Sequence, residues 1–139
     1  MKTLFSTFIL SLFAIIGSAQ TSLSQQTEQY NYVVMTKKVQ QLKPILLAAK
    51  ELAKDDGNRF GKFEIIVCGK DIGDLTNYSD MEPHLKEAKT LGVDIIACGF
   101  SLKKFKVDAG LLPNDMKVVD NGILHDFERQ KQGYLSLEL

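Results

Sequence analysis

Apolar and polar positions change period in blocks along the chain, and each change of period predicts a change of element. The apolar run "YNYVVM", starting at Tyr30, is rich in residues that favour strands. The segment "KPILLAAKELAKDDGN" follows with the period of a helix, and Pro44 suits its first turn. On that helix Ile45, Ala49 and Leu52 fall on one face, opposite Lys50 and its charged neighbours. A strand followed by an amphipathic helix is therefore predicted.

The same plan repeats toward the C-terminus. The strand "FEIIVC" leads into a polar loop, "GKDIGDLTNYSD", and then a helix, "MEPHLKEAKTL", which ends at Gly92. Next come the strand "VDIIAC", a short helix "SLKKFK" capped by Ser101, and a turn-rich passage "VDAGLLPND". A brief strand "MKVVD", a helix from about Gly122 to Gln132 and a closing strand "YLSLEL" complete the chain.

This alternation predicts a small, doubly wound, three-layer α/β domain with a mostly parallel sheet of four to five strands. Parallel strands need helical crossovers, and the unbroken apolar runs "EIIV" and "DIIA" suit strands covered on both faces. A sheet of this size often gains further burial in an oligomer. The first strand is not followed by a glycine-rich phosphate loop, so nucleotide binding of that kind is not predicted.

The N-terminal segment has the pattern of an export signal. Lys2 precedes an apolar run, and Gly17 and Ala19 supply the small side chains that a signal peptidase requires. The apolar run is shorter than the ~20 residues that span a bilayer. We therefore predict a signal peptide at residues 1–19, a flexible leader at 20–29 and the domain at 30–139. The mature protein is predicted to be periplasmic or secreted, with no membrane anchor after cleavage.

Composition narrows the classes of partner and cofactor. Lys and Arg number 17 and Asp and Glu also 17, so no net charge would attract nucleic acid, and none is predicted as a partner. His84, His125 and the two cysteines lack the close spacing of metal ligands, so neither a metal nor another cofactor is predicted. Both histidines are expected to be surface or half-buried. Asp126, Glu128 and Arg129 are predicted on the solvent face of the last helix.

The two cysteines of the chain occupy the same place in two similar segments. Cys68 ends the strand in "FEIIVCG", and Cys98 ends the strand in "VDIIACG". The distance between these segments is about that of one βαβ unit, so both thiols are expected at the same edge of the sheet. Open α/β sheets bind ligands at this edge. The alternative is that both cysteines serve only as small buried apolar residues.

Cys98 has the more favourable surroundings for a reactive thiol. Gly99 and then Ser101, the predicted helix cap, follow it, and N–H groups at a helix start stabilise a nearby thiolate. Cys98 is thus the candidate sulfur acceptor or redox thiol, Cys68 its candidate partner thiol, and Gly99 and Ser101 the anion-favouring environment. Further positive charge is expected nearby from Lys103, Lys104 and Lys106.

The domain from Tyr30 to Leu137 resembles the DsrE/DsrF-like sulfur-relay superfamily, which includes TusD-type and YchN-like proteins. The resemblance lies in a strand ending in Cys-Gly, the downstream "LLP", a short strand leading into "NGILHDFERQKQGY", and the terminal strand. It implies an α/β subunit that assembles into a homo-oligomer, a trimer or hexamer, with sulfur donor or acceptor proteins as partners. It also implies that the cysteine matching Cys98 carries sulfur as a persulfide.

Two other functions stay open at this point. In an oxidising compartment Cys68 and Cys98 could form a structural or redox-active disulfide. Such a bridge requires adjacent strands, because neighbouring strands lie ~4.8 Å apart whereas two strand spacings exceed the ~7 Å limit between bridged Cα atoms. Alternatively, the domain is a non-catalytic binding or assembly module with a small ligand at the strand ends. The strand order that would separate these cases does not follow from the sequence.

Overall fold

The computed structural model describes residues 28–139. The predicted signal peptide and most of the predicted leader lie outside the described residues. Five strands form one sheet in the order β4-β3-β2-β1-β5, and every neighbouring pair is parallel. The strands are β1 (Tyr30–Thr36), β2 (Phe60–Val67), β3 (Val93–Cys98), β4 (Lys117–Val119) and β5 (Leu135–Glu138).

Four α-helices connect the strands: α1 (Leu42–Asp56), α2 (Tyr78–Leu91), α3 (Gly99–Lys104) and α4 (Gly122–Lys131). The apolar face predicted for the first helix is buried at Ile45 and Ala49. Helix α2 begins at Tyr78 rather than at Met81 as predicted. The loop predicted before it is a 3-10 helix, Lys70–Thr76. Burial of Ile72 and Leu75 within that segment explains its order, because two apolar side chains hold the backbone against the core.

Helices cover both faces of the sheet. Successive residues of a strand point to opposite faces, so Glu64, Ile66 and Cys68 share one face of the sheet while Phe63 lies on the other. Helix α4 contacts the face of Glu64 and Ile66. Helix α1 packs with α2 and lines a groove with Phe63 on the opposite face. The predicted doubly wound, three-layer α/β class with a small parallel sheet is confirmed.

The central strands of the sheet are almost completely buried, which stabilises this architecture. Ile65, Ile66 and Val67 of β2 and Ala97 of β3 have no exposed surface or almost none, as expected for parallel strands covered by helices. The edge strand β5 is exposed throughout its length. None of the helices within residues 28–139 has the length and apolar character needed to cross a membrane.

Candidate functional site

The two cysteines lie side by side at the carboxyl edge of the sheet. Strands β2 and β3 are adjacent, and Val67 is paired with Ala97, so the residues that follow them, Cys68 and Cys98, occupy equivalent positions. Both are buried free thiols, 8% and 3% exposed. The Cys68 side chain lies near enough to Cys98 to act on the pKa of that thiol. The strand order thus meets the geometric condition for a bridge between them, and the structure holds the pair as thiols.

The sulfur of Cys98 lies among polar hydrogens. The Gly122 N–H donates to Cys98 Sγ over 3.2 Å, and the hydroxyl and N–H of Ser101 act on the pKa of the same thiol. Burial acts to raise the pKa of Cys98, but the hydrogen bonds from Ser101, Gly122 and Cys68 outweigh it and lower that pKa below the ordinary thiol value. Cys98 is therefore the thiol of the pair that ionises first.

Cys68 has the opposite character. Burial, followed by the charge of the neighbouring Cys98, raises the pKa of Cys68 to about 12. Lys37 opposes this shift but does not overcome it. At neutral pH the pair accordingly consists of a thiolate-prone Cys98 and a protonated Cys68 that stabilises it. A nucleophilic thiol must ionise, so Cys98 is the better candidate of the two for that role.

Ser101 does not cap α3, contrary to the prediction. The helix begins at Gly99, and Cys98 itself occupies the cap position. Ser101 is buried, and its hydroxyl oxygen accepts a hydrogen bond from the Gly69 N–H over 3.0 Å. Because the same side chain lowers the pKa of Cys98, Ser101 relates the loop after β2 to the thiol at the end of β3. Its place in an anion-favouring environment stays a prediction.

Gly99 contributes space. A Cβ atom built on Gly99 would lie 2.9 Å from the carbonyl oxygen of Val119, closer than side-chain carbons approach a backbone. The next residue, Phe100, donates its N–H to the Asp120 carbonyl over 2.8 Å. The close approach at Gly99 therefore brings the loop after β4, and with it the start of α4, over the cysteine pair.

The start of α4 was not assigned a functional role from the sequence, yet it supplies a central contact. The side-chain oxygen of Asn121 accepts the N–H groups of Ile123 and Leu124, at 3.0 and 3.2 Å. The N–H of the first helical residue, Gly122, is directed instead to Cys98 Sγ. The positive end of the helix dipole thus faces the thiol that carries charge. The signal in the sequence is the Asn-Gly pair that precedes the helix.

Gly122 also leaves room for the thiol pair. A Cβ atom on Gly122 would lie 2.5 Å from Cys68 Sγ, 2.8 Å from Ile66 Cγ2 and 3.3 Å from Cys98 Cβ. These distances are too short for any side chain without displacement of α4 or of the cysteines. The absence of a side chain at this position therefore allows the helix start to contact both thiols.

An ionic cluster under the cysteines fixes α4 to the sheet. Glu64 of β2 is only 4% exposed, and its Oε2 lies 2.7 Å from His125 Nε2 and accepts the Arg129 Nε–H over 2.9 Å. Asp126 is also buried and accepts hydrogen bonds from Gln130 and Ser136. The prediction that Asp126 and Arg129 face solvent is wrong, because Arg129 pairs with the buried carboxylate of Glu64 and Asp126 accepts hydrogen bonds from Gln130 and Ser136. Exposure of Glu128 is confirmed.

A cleft of about 700 Å³ opens over the thiol pair. Its walls are apolar and carry exposed aromatic rings, with Phe100 57% and Phe127 56% exposed. Lys37 lies in the cleft and pairs with Glu138 at 2.8 Å, whereas of the three predicted lysines after Cys98 only Lys104 lines it. The residues that line the cleft include Lys37, Cys68, Cys98, Phe100, Lys104 and Phe127.

The histidines have structural positions. His125 belongs to the ionic cluster, and both it and His84 are half-buried, as predicted. Within residues 28–139, His, Cys, Asp and Glu side chains do not gather in any group of three or more that could hold a metal ion.

Two solved structures of proteins of unknown function are similar to this one. MTH1491 from Methanobacterium thermoautotrophicum aligns with a TM-score of 0.69 at 19% identity, over 80% of this chain and 100% of that chain. BT1422 from Bacteroides thetaiotaomicron aligns with a TM-score of 0.57 at 21% identity, over 78% of this chain and 94% of that chain. Neither a family model nor a curated protein matches the chain. The likeness shows the fold alone.

Proposed function

We propose that this protein is an exported DsrE-like protein of thiol sulfur chemistry, in which Cys98 takes up sulfur as a persulfide. The observation that carries the proposal is the hydrogen bond from the Gly122 N–H to Cys98 Sγ, and the hydroxyl and N–H of Ser101 add to it as causes of the lowered pKa of Cys98. A carrier thiol must be ionised near neutral pH to attack a sulfur donor. The lowered pKa of Cys98 supports this role, and the raised pKa of Cys68 argues that Cys68 is not the acceptor.

In the proposed reaction the Cys98 thiolate attacks the outer sulfur of a persulfide donor, R–S–SH. A bond forms between Cys98 Sγ and that sulfur, the S–S bond of the donor breaks, and R–S⁻ leaves. The product is Cys98–S–SH, with the proton still on the transferred sulfur. Because the Gly122 and Ser101 donors are already in place, they hold the thiolate ready without reorganisation at the moment of attack.

The cleft supports access by a sulfur donor of limited width. Both thiols are buried at its floor, so a donor has to reach them with its terminal sulfur. The volume of about 700 Å³ lies in the range of small-molecule sites. The exposed rings of Phe100 and Phe127 would contact the rest of the donor, whether a small persulfide or the sulfur-bearing segment of a donor or acceptor protein.

The test is sulfur uptake by two matched variants. Cys68→Ser keeps the acceptor thiol, and Cys98→Ser keeps only its neighbour. After incubation with glutathione persulfide and removal of the reagent, Cys68→Ser is expected to gain the mass of one sulfur atom, which a reductant removes. Cys98→Ser is expected to gain none. Equal uptake by Cys98→Ser, or no uptake by Cys68→Ser, would contradict the proposal.

A second candidate is a binding module whose cysteine pair forms a structural or redox-active disulfide. The adjacency and register of β2 and β3 favour it, since they place Cys68 and Cys98 at bridging distance. Intact mass of protein isolated without reductant, combined with sulfur uptake after reduction, distinguishes the two. A mass two hydrogens light in a protein whose reduced Cys68→Ser variant takes up no sulfur from glutathione persulfide supports the disulfide, whereas added sulfur in either measurement supports the carrier.

Assembly and export are part of the same proposal. The edge strand β5 presents Leu135 and Leu137 to solvent, Leu139 follows it directly, and each of the three is about half exposed. An exposed apolar edge is commonly covered by another subunit. A homo-oligomer, a trimer or hexamer as the family resemblance implies, is expected in light scattering, and a monomer would contradict it. N-terminal sequencing of the mature protein is expected to begin at Gln20.

A further inference from the structure

The thiol of Cys68 lies beside Cys98, within reach of a sulfur atom bound to it. Cys68 and Cys98 follow paired residues on adjacent parallel strands, so both thiols lie at the same edge of the sheet. Both side chains lie on the face covered by the start of α4, because a Cβ atom on Gly122 would contact Cys68 Sγ and Cys98 Cβ together. A sulfur carrier needs only one thiol, so the second thiol is unexplained by uptake alone.

We propose that Cys68 discharges the sulfur of the Cys98 persulfide as hydrogen sulfide, an activity that rests on the proposed uptake at Cys98. Cys68 Sγ attacks Cys98 Sγ, a disulfide bond forms between them, and the bond from Cys98 Sγ to the outer sulfur breaks. The balance is Cys98–S–SH + Cys68–SH → Cys98–S–S–Cys68 + H₂S. The outer sulfur is reduced to sulfide and leaves with the proton of Cys68, while the two cysteines are oxidised. A dithiol reductant then restores the pair.

The backbone geometry permits the disulfide without rearrangement. Directly neighbouring strands lie ~4.8 Å apart, inside the ~4.4–6.8 Å range of Cα separations that disulfides span. Gly122, which covers the pair, has no side chain that could come between the sulfurs. The attack is therefore intramolecular between groups at equivalent positions of neighbouring strands, an arrangement that accelerates such reactions.

Loading of Cys98 gives the two steps an order. While Cys98 is an empty thiolate, burial and the Cys98 charge keep Cys68 protonated. Sulfur uptake converts Cys98 Sγ from a nucleophile into the inner sulfur of an S–S bond, which a second thiol can attack. Cys68 thus has a sulfur to attack only after Cys98 is loaded.

The experiment follows sulfide and mass after a single loading. Wild type, Cys68→Ser, Cys68→Ala and Cys98→Ser are loaded with glutathione persulfide, freed of reagent, and held without reductant. Sulfide is trapped with monobromobimane, and each protein is weighed intact. Wild type is expected to release about one sulfide per chain and to become two hydrogens lighter than its reduced form. Both Cys68 variants are expected to keep the added sulfur and release at least tenfold less sulfide.

The outcomes separate this inference from the proposed function. If Cys68→Ser and Cys68→Ala load and wild type retains its persulfide as they do, discharge is overturned while uptake at Cys98 stands. If the Cys68 variants release sulfide at the rate of wild type, Cys68 is not the discharging thiol and the inference is overturned. If no protein that contains Cys98 loads, uptake fails and discharge fails with it. The two Cys68 variants, one polar and one apolar, guard against misfolding of either.

Discussion

Replacing Gly122 by alanine places a methyl group against both thiols, and its effect can be worked out from the structure. The added carbon would lie 2.5 Å from Cys68 Sγ and 2.8 Å from Ile66 Cγ2. Real Cβ contacts are not that short, so α4 or the cysteines must move. The backbone of Gly122 is not in the left-handed region, so alanine itself fits the local conformation. The whole effect of Gly122→Ala is therefore steric.

The expected loss of stability is moderate. Overpacking of a close-packed core costs about 1–3 kcal/mol. Replacing glycine by alanine in a helix returns up to ~1 kcal/mol, which leaves a net loss of about 0–3 kcal/mol. Each kcal/mol lost lowers the melting temperature of a domain near 100 residues by roughly 4–8 °C. Movement of the helix start also lengthens the 3.2 Å contact from the Gly122 N–H to Cys98 Sγ, which raises the pKa of Cys98.

Two measurements test this, with Gly73→Ala as the matched control. A Cβ atom on Gly73 would meet Val107 Cγ2 at 3.6 Å, an ordinary contact, and the position lies away from the thiols. Thermal unfolding is expected to show the loss for Gly122→Ala and little change for the control. The pH midpoint of Cys98 alkylation is expected to rise only in Gly122→Ala. A Gly122→Ala protein with wild-type melting temperature and an unchanged midpoint would refute the packing described for this site.

Three further predictions concern neighbouring groups. Ser101→Ala removes a group that lowers the pKa of Cys98 and also the acceptor of the Gly69 N–H. The pKa of Cys98 should therefore rise, and urea unfolding should show a loss of about 1–3 kcal/mol in the free energy of unfolding. A wild-type pH midpoint of Cys98 alkylation would contradict this. Glu64→Gln should lower the free energy of unfolding in urea by about 1–3 kcal/mol. This is less than the ~3–5 kcal/mol expected for a fully buried ion pair, because the side chain of its partner Arg129 is 25% exposed. An unchanged unfolding midpoint would count against the ionic cluster. The pKa of Cys68 is raised from 9.0 to about 12, so its contribution to stability is complete below pH 9 and is lost as pH rises toward 12. Cys68→Ser should therefore lose less stability than wild type between pH 9 and 11, and parallel curves would argue that Cys68 is not buried as described.

The fold could be predicted because its main signals are local. The apolar runs "EIIV" and "DIIA" and the helical period between them depend on neighbouring residues alone, and they led directly to parallel strands covered by helices. The order of the strands could not be predicted in the same way. Whether β2 and β3 are adjacent depends on long-range packing, and that adjacency decides whether Cys68 and Cys98 touch.

Of the candidate site, the sequence predicted only the residues that end a strand or directly follow one. Cys98 and Ser101 are close in sequence, so their proximity was expected, although the hydroxyl of Ser101 reaches Gly69 instead of capping the helix. The contact of Gly122 with Cys98 arises from packing of α4 on the sheet, which no local pattern encodes. The sequence does contain one signal for the ionic cluster. Glu64 is a carboxylate inside a buried strand, and such a carboxylate requires a cation from elsewhere in the fold.

The most direct test of the account is the pH dependence of alkylation at each cysteine. The mature protein is treated with a small alkylating reagent across a pH series, and the label is assigned to Cys68 or Cys98 by peptide mass spectrometry. Midpoints report ionisation, and they do not depend on how easily the reagent enters the cleft. We expect the pH midpoint of Cys98 alkylation to lie below that of an ordinary thiol and the midpoint of Cys68 to lie well above it. Equal midpoints, or Cys68 ionising first, would contradict the assignment of Cys98 as the nucleophile.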